Sequence, residues 1–293
     1  MKIALVTCSN LPDWEVDDRH LHDAFREKGV ELCHPAWDDP RFDWAACDAA
    51  LIRTTWDYQD RHDEFLAWAR RVDSVIPLYN PLAVVEWNTN KTYLRDLANR
   101  GAPTIPTVWL TAGTQVDLKT VLAKQGWEQA FLKPAIGATA RETLRFRVDV
   151  EGLAAAKRHL ARLLPRETLL LQPYLPRVEC EGELSLIYIE REFSHAVRKI
   201  PVPGDYRVQD DFGATDEPAD VAAEVIDLGH RILHSVDHEL VYARVDFLRD
   251  DAGDLRLSEL ELTEPHLFFR HCPQAASRLA NALLARVARL ERR

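Results

Sequence analysis

Two short alternating segments constrain this chain more than any other feature: Arg244-Val245-Asp246-Phe247-Leu248 and Leu257-Ser258-Glu259-Leu260-Glu261, separated by Asp250-Asp251-Ala252-Gly253. The turn residues predict a hairpin. Strand side chains alternate with period two, so Arg244 and Asp246 share one face, and so do Glu259 and Glu261. Paired antiparallel in matching register, the strands bring three carboxylates and one guanidinium onto a single surface. Like charges that close are unfavourable unless a cation joins them, and hard oxygen ligands suit magnesium or manganese. The residues between the charges are apolar, which argues for buried strands rather than a solvated face.

The rest of the chain gives such a hairpin something to pack on. At 293 residues and 46 % hydrophobic content, it can bury a large core, and a prior of about 150 residues per domain suggests two or more lobes. The net charge of −10 speaks against a nucleic-acid partner, because phosphate-backbone binding rests on clustered Lys and Arg. No run of about 18 apolar residues is present, and MKIALVTC lacks the length and cleavage site of a signal peptide. A soluble, cytoplasmic protein with no membrane partner is therefore expected. The five cysteines are odd in number and lack zinc spacing, so they read as buried thiols.

KIALVTC, VELCHP, DAALIRT and SVIPLYN read as strands, with helices at DRHLHDAFREKG and HDEFLAWARRV. This alternation predicts a small open α/β domain with a mostly parallel sheet. In such sheets ligands sit beyond the carboxyl ends of the strands. Two loops occupy that position, NLPDWEVDD and Arg53-Thr54-Thr55-Trp56-Asp57-Tyr58. No GxGxxG follows Cys8, which removes a Rossmann-type oxidoreductase. Beyond a helical stretch, PLAVVEWNTNKTYLRDLANRG, and a proline-punctuated strand, APTIPTVWL, a second lobe carries the strands QAFLKP, TLRFRV and TLLLQPYL and the helix EGLAAAKRHLARLL. A third section has the strands ELSLIYIE and FSHAVRKI, the loop PVPGDYRVQDDFGA, a helix PADVAAEVIDLGHRILHSV, the acidic hairpin and a closing helix. The apolar face of that last helix either packs internally or joins two copies in a homodimer.

Lys133 ends an apolar strand and is followed by the small-residue loop Ala135 to Ala140, an ammonium beside exposed backbone N–H groups. That outlines a phosphate cradle without being a P-loop. Gln172-Pro173-Tyr174-Leu175 runs from a buried strand into a linker, where an apolar slot with backbone hydrogen bonds can take a purine. Lys91, Lys199 and Arg207 are either surface charges or part of the same site.

In this order the segments resemble the ATP-grasp superfamily, in particular its glutathione-synthetase-like and ribosomal-protein glutamate-ligase-like branch, over roughly residues 88–269. The resemblance implies an α/β, three-lobed ATP-grasp fold: a small N-terminal open α/β sheet domain (1–88) and two α+β lobes (89–171 and 172–293) clasping ATP. It implies that Lys91 and Lys133 contact the phosphates, with Thr139 and Ala140 covering them. Gln172, Tyr174 and Leu175 would form the adenine hinge, and Glu183 would meet the ribose. Lys199 and Arg207 would face the γ-phosphate and acyl group. Arg244 and Asp246 match the family's "aRvDF" segment and Glu259 its glutamate, which makes Asp246, Glu259 and Glu261 the expected ligands of Mg2+ or Mn2+. The sequence departs from the pattern at Glu261, where relatives carry asparagine, and in a phosphate loop with a single glycine at 137. The implied reaction phosphorylates a carboxylate to an acylphosphate, which an amine then attacks. Phosphoryl transfer of this kind depends on positioning and charge neutralisation, and Arg244 is the expected partner of the tetrahedral oxyanion.

Substrate choice is expected to lie in the N-terminal lobe. Arg53 offers a guanidinium for a carboxylate, Asp57 a carboxylate for an ammonium, and Tyr58 a wall; the other reading is a structural aromatic loop. The turn Thr263-Glu264-Pro265-His266 just beyond the acidic strand is a further candidate, and within it His266 is either a general base for the attacking amine or a helix-start histidine. The spacing RTTWDY, NKTYL, LKPA, ELEL also resembles a group of stand-alone ATP-grasp proteins that includes the cyclo-ligase of D-cycloserine formation, in which the nucleophile is tethered to the electrophile. A non-catalytic ATP-binding regulatory protein is the alternative outside the enzymes.

Overall fold

The computed structural model describes residues 1–11 and 15–290. Pro12-Asp13-Trp14, within the polar loop read after the first strand, lie outside the described residues. The first lobe contains β1 (Lys2–Thr7), α1 (Arg19–Arg26), β2 (Glu31–Cys33), β3 (Ala49–Thr54), α2 (His62–Asp73) and β4 (Leu78–Tyr79). Its strands pair in parallel in the order β2-β1-β3-β4. β1 and β3 are buried almost throughout, as their continuous apolar runs require of a parallel sheet covered on both faces.

The helical stretch expected from residue 81 to 100 breaks in two, α3 (Leu82–Asn88) and α4 (Tyr93–Asn99), with residues 89–92 as the turn between them. Lys91 therefore sits in a turn and not on a helix face. Next come β5 (Val108–Leu110), α5 (Leu118–Gln125), β6 (Gln129–Pro134), β7 (Leu144–Arg147), α6 (Val150–Leu163) and β8 (Leu169–Pro173), in an antiparallel sheet of order β5-β8-β6-β7. The sequence reading passed over α5. Its local signals are a side-chain cap from Asp117 and a left-handed terminus at Gly126 (φ 70°), where a side chain would be strained.

α7 (Val178–Glu181) leads into β9 (Glu183–Ile189), β10 (Glu192–Ile200), β11 (Thr215–Pro218), α8 (Ala223–His234), β12 (Tyr242–Arg249), β13 (Leu255–Glu261) and α9 (Pro273–Leu290). The sheet order is β11-β10-β9-β12-β13, antiparallel throughout. β11 was not foreseen. It pairs along β10, with Lys199 opposite Asp216, and delays the start of α8 to Ala223.

The three-lobe division at 1–88, 89–171 and 172–293 is kept as a proposal with two amendments, the first being that β8 carries the second sheet on to Pro173. The apolar face of α9 (Leu279, Leu283, Val287) shares a core with Ile3, Leu5, Leu21 and Phe25 of the first lobe. That face is used internally, so the ground for a homodimer through this helix is gone. Among the described residues no helix is long and apolar enough to cross a membrane.

Candidate active site

Register delivers what the alternation requires. Arg244 stands opposite Glu261 and Asp246 opposite Glu259. On the other side Asp246 stands opposite Ser185, and two residues along β9 Glu183 stands opposite Lys199. One sheet face thus carries Glu183, Ser185, Lys199, Arg244, Asp246, Glu259 and Glu261. Gly253 closes the hairpin with φ of 89°, its N–H donating to the Asp250 carbonyl (2.9 Å).

β13 is an edge strand whose free backbone groups are met by side chains. Asn88 donates to the Leu260 carbonyl (2.8 Å) and accepts from the Leu262 N–H (2.7 Å), and the Tyr93 hydroxyl accepts from the Leu260 N–H (3.0 Å). These bonds cap the exposed edge and bring the turn between α3 and α4 against the hairpin. Lys91 in that turn forms an ion pair with Glu259 and donates to the Gly137 carbonyl (2.7 Å). One lysine therefore ties the acidic strand to the small-residue loop.

Among the described residues the three acids do not stand as a ready-made metal cluster. Basic side chains separate the like charges. Asp246, fully buried, accepts from Ser185 (2.6 Å) and from Arg244 Nε (3.0 Å) and Nη2 (2.8 Å), with Lys199 at 3.4 Å. Arg244 also pairs with Glu261 and donates to the His266 carbonyl (3.1 Å). Lys199 pairs with Glu183, which accepts from Ser258 (3.2 Å). Glu259 and Glu261 keep about a quarter of their side-chain surface open, 26 % each.

Protonation follows these contacts. Burial works against the Asp246 carboxylate, yet Arg244 and Lys199 hold it down to about 2. Burial also opposes Glu259, and Lys91 and Lys133 outweigh it to keep the acid below its usual range. At Glu261 burial wins, assisted by Asp246 and Glu259 against Arg244, and the carboxyl is pushed up to about 7. Burial lowers Lys133 with help from Lys91, although Glu259 favours its charge. Lys199 goes the other way, because Asp246 and Glu183 outweigh its burial.

Lys91, Glu183, Lys199, Arg244, Glu259 and Glu261 line a cleft of about 480 Å³ that Lys133 of β6 and residues 137–141 and 143 also border. Thr139, Ala140 and Glu142 adopt positive φ (47°, 54° and 51°) without being glycine, a conformation that costs about 1–2 kcal/mol per residue. Arg141 anchors the loop to Asp60 and Glu167 (3.2 Å each). At the other end, Tyr174, Val178 and Val208 pack with Phe131, Tyr206 and Leu248 into an apolar slot, with Gln172 and Leu175 beside it. Gln172 is buried and donates to Thr107 (2.8 Å). Tyr174 donates its N–H to the Gln129 carbonyl (3.1 Å), and its hydroxyl is tied to Arg145 (2.9 Å) and Glu179. Arg207 borders the cleft but folds back on Asp205 (2.6 Å) and over the Phe212 ring.

The N-terminal segment 53–58 divides. Tyr58 and Trp56 border the cleft; Arg53 and Asp57 do not, which corrects their assignment to substrate. Arg53 is 1 % exposed, doubly bonded to buried Asp18 (2.9 Å each) and donating to the Pro265 carbonyl (3.1 Å). Asp57 accepts from the Trp37 indole (2.7 Å). Both hold the lobe together. His266 does border the cleft, 3.4 Å from Asp17, 3.8 Å from Glu15 and 3.2 Å from Arg270. Sequence reasoning saw Glu15 and Asp17 only as members of a polar loop; two acids beyond a parallel strand end were the available signal. Glu264 was singled out only as part of its turn. It borders the cleft against Tyr58, and burial together with Glu261 pushes its carboxyl up to about 8.

Residues 3–80 match the family described as D-cycloserine synthetase DcsG, N-terminal domain. The chain is 32 % identical over 301 residues to the cycloserine biosynthesis protein DcsG of Streptomyces lavendulae, covering 97 % of this chain and 98 % of that protein. The crystal structure of D-cycloserine synthetase DcsG superposes with a TM-score of 0.88 at 30 % identity, over 98 % of this chain and 100 % of that one. D-alanine–D-alanine ligase from Bacillus anthracis, complexed with ATP, gives 0.69 at 15 % identity over 100 % and 99 %, a likeness of fold alone. Fold and site thus define an ATP-grasp enzyme, an ATP-dependent carbon–nitrogen ligase rather than a nucleotide-binding regulator. Within that class the chain belongs to the family of DcsG, the cycloserine biosynthesis proteins.

Proposed function

We propose that this protein activates the carboxylate of one small amino-acid-derived substrate with ATP and joins it to a nitrogen of the same molecule, closing a ring. The carrying observation is the end-to-end similarity to a cycloserine biosynthesis protein. The cleft agrees with it. A cavity of about 480 Å³ is of the size that takes a drug-sized ligand.

The purine takes the slot beside Tyr174, with backbone of residues 172–175 along its edge, and the phosphates run towards Lys91 and Lys133 beneath Thr139 and Ala140. Glu183, which the resemblance assigns to ribose, is engaged by Lys199 and Ser258, and we assign it to holding Lys199. Glu259 and Glu261, open to the cleft with Asp246 behind them, are hard oxygen donors of the kind that suit Mg2+ or Mn2+ and would hold such an ion there, where it would supply neutralisation of phosphate charge. A substrate carboxylate oxygen attacks the γ-phosphorus and ADP leaves. The tethered nitrogen then attacks the acyl carbon, the bond from that carbon to the phosphoryl oxygen breaks, inorganic phosphate departs and the nitrogen gives up a proton. Lys91, Lys133, Lys199 and Arg244 neutralise the spread charge of the first step. Arg244 faces the oxyanion of the second, and His266, oriented by Asp17, takes the proton. Arg207 remains tied to Asp205 and receives no step.

The test supplies an amino acid whose side chain ends in an aminooxy-type nitrogen, free or N-acylated, and in parallel D-alanine alone. ADP release with the first, and a cyclic product by mass, is the expected outcome. A dipeptide from D-alanine with no cyclic product from the first would overturn ring closure.

A further inference from the structure

The acids around the floor of the cleft differ in one respect. Glu183 pairs with Lys199, Asp246 and Glu261 with Arg244, and Glu259 with Lys91. Among the described residues Glu264 forms no such ion pair; it borders the cleft beside Tyr58. A half-buried carboxylate without a cation is costly, a cost that Glu183, Asp246, Glu259 and Glu261 avoid through their pairs.

Its position is also fixed by others. The Trp56 indole donates to the Glu264 carbonyl (3.0 Å), Arg53 to the Pro265 carbonyl (3.1 Å) and Arg244 to the His266 carbonyl (3.1 Å). Three consecutive carbonyls of one turn are thus held by three donors from two lobes, and the side chain between them is presented rather than free to swing. Trp56, Tyr58 and Phe268 also border the cleft, and aromatic faces favour a cation. Arg244, the group assigned to the reacting acyl oxygen, is bonded to that same turn. An acid on this turn and a strand guanidinium bonded to it suit a molecule that carries an ammonium close to a carboxylate.

We propose that Glu264, supported by Tyr58, binds the amino group of the substrate and so selects an α-amino acid in which the carboxylate to be activated lies one carbon from an ammonium. This rests on the ligase reading and names the recognition element within it. Glu264 acts as a specificity residue and makes no bond to the reacting atoms.

The experiment reads binding, not turnover. D-Serine and 3-hydroxypropionate, which differ only in the amino group, are titrated calorimetrically into the full-length protein with magnesium and ADP. Wild type is expected to prefer D-serine by about 10- to 100-fold, the range for a hydrogen bond to a charged group. Glu264→Gln should erase that preference while ADP affinity stays within about 2-fold, which also reports folding. Glu264→Asp should keep part of it. Tyr58→Phe, which leaves the acid in place, should reduce it by roughly 3-fold, and this variant carries the test if Glu264→Gln does not fold. Wild type binding both probes alike or neither, a preference intact in Glu264→Gln, or, where that variant does not fold, one undiminished in Tyr58→Phe, overturns the proposal. An intact wild-type preference with no ADP release on any ring-closing substrate would overturn ring closure alone.

Discussion

Arg53 and Arg244 are alike in almost every local respect. Each lies on a buried strand, with 1 % and 6 % exposure, and each grips a fully buried aspartate, Asp18 or Asp246. Each even donates to a carbonyl of the same turn, Pro265 or His266. They part where their networks end. The ion pairing of Arg53 stops at Asp18 inside the first lobe, whereas Arg244 passes a further donor to Glu261, which is open to the cleft. Burial and a partner do not tell a structural guanidinium from a functional one; what tells them apart is whether the chain of charges reaches the ligand.

The sharpest way to break this comparison is to remove each arginine. Arg53→Met leaves Asp18 buried and unpaired, and should cost about 3–5 kcal/mol of stability in urea unfolding, while ADP release per folded molecule falls by no more than about 10-fold, because Arg53 meets the cleft only through the Pro265 carbonyl and not through a charge. Arg244→Met should lower ADP release per folded molecule by roughly 10²- to 10³-fold, the loss seen when one oxyanion donor is deleted. Equal loss of turnover in both folded variants would dissolve the distinction. Next in size is Glu259→Gln, which removes the partner of Lys91 and an acid we assign to the ion. Its magnesium requirement in ADP release should rise by at least 10- to 100-fold, roughly the cost of altering even an outer partner of a metal ligand. An unchanged magnesium titration would remove β13 from the metal site.

Much of this was legible before any coordinates. Period-two alternation put Arg244, Asp246, Glu259 and Glu261 on one face, and register confirmed it, because the argument needs only local geometry. The α/β alternation likewise anticipated the parallel sheet of the first lobe. The pairing of each acid with its own base was not legible. Lys91 reaches Glu259 across 168 positions because Asn88 and Tyr93 cap the edge of β13, a tertiary contact with no local signature. Segment 53–58 misled for a similar reason. A strand end beyond a parallel sheet is where ligands bind, but Asp18, which takes Arg53, arrives from another loop, and parity along the chain turns Tyr58 to the cleft and Asp57 to Trp37.

The acids on the Arg244 side should also reveal themselves by titration. Burial first, then Glu261, lifts the Glu264 carboxyl from an ordinary 4.5 to about 8. The folded protein therefore holds a proton that the unfolded chain has released. The stability this gives is complete below about pH 4.5 and is lost as pH rises towards about 8. Urea midpoints of the ligand-free protein should fall over that window, and Glu264→Gln should flatten the slope. A slope unchanged in that variant would mean that Glu264 ionises in place without difficulty, and would weaken the contrast between a closed network and one left open for a ligand.

The smallest effect belongs to Asp57, on the structural side of the comparison. Removing its carboxylate in Asp57→Ala orphans the Trp37 indole N–H, which it accepts at 2.7 Å, and an unsatisfied buried donor costs about 1–3 kcal/mol. Asp57→Asn keeps an acceptor and should recover most of that. Neither should move kcat/KM, because the side chain faces away from the cleft that its neighbour Tyr58 lines. A raised KM with an unchanged unfolding midpoint would reverse the assignment. It would make Asp57 an ammonium partner after all, compete directly with Glu264 for that role, and shift the line between brace and site to the strand end that Arg53 occupies.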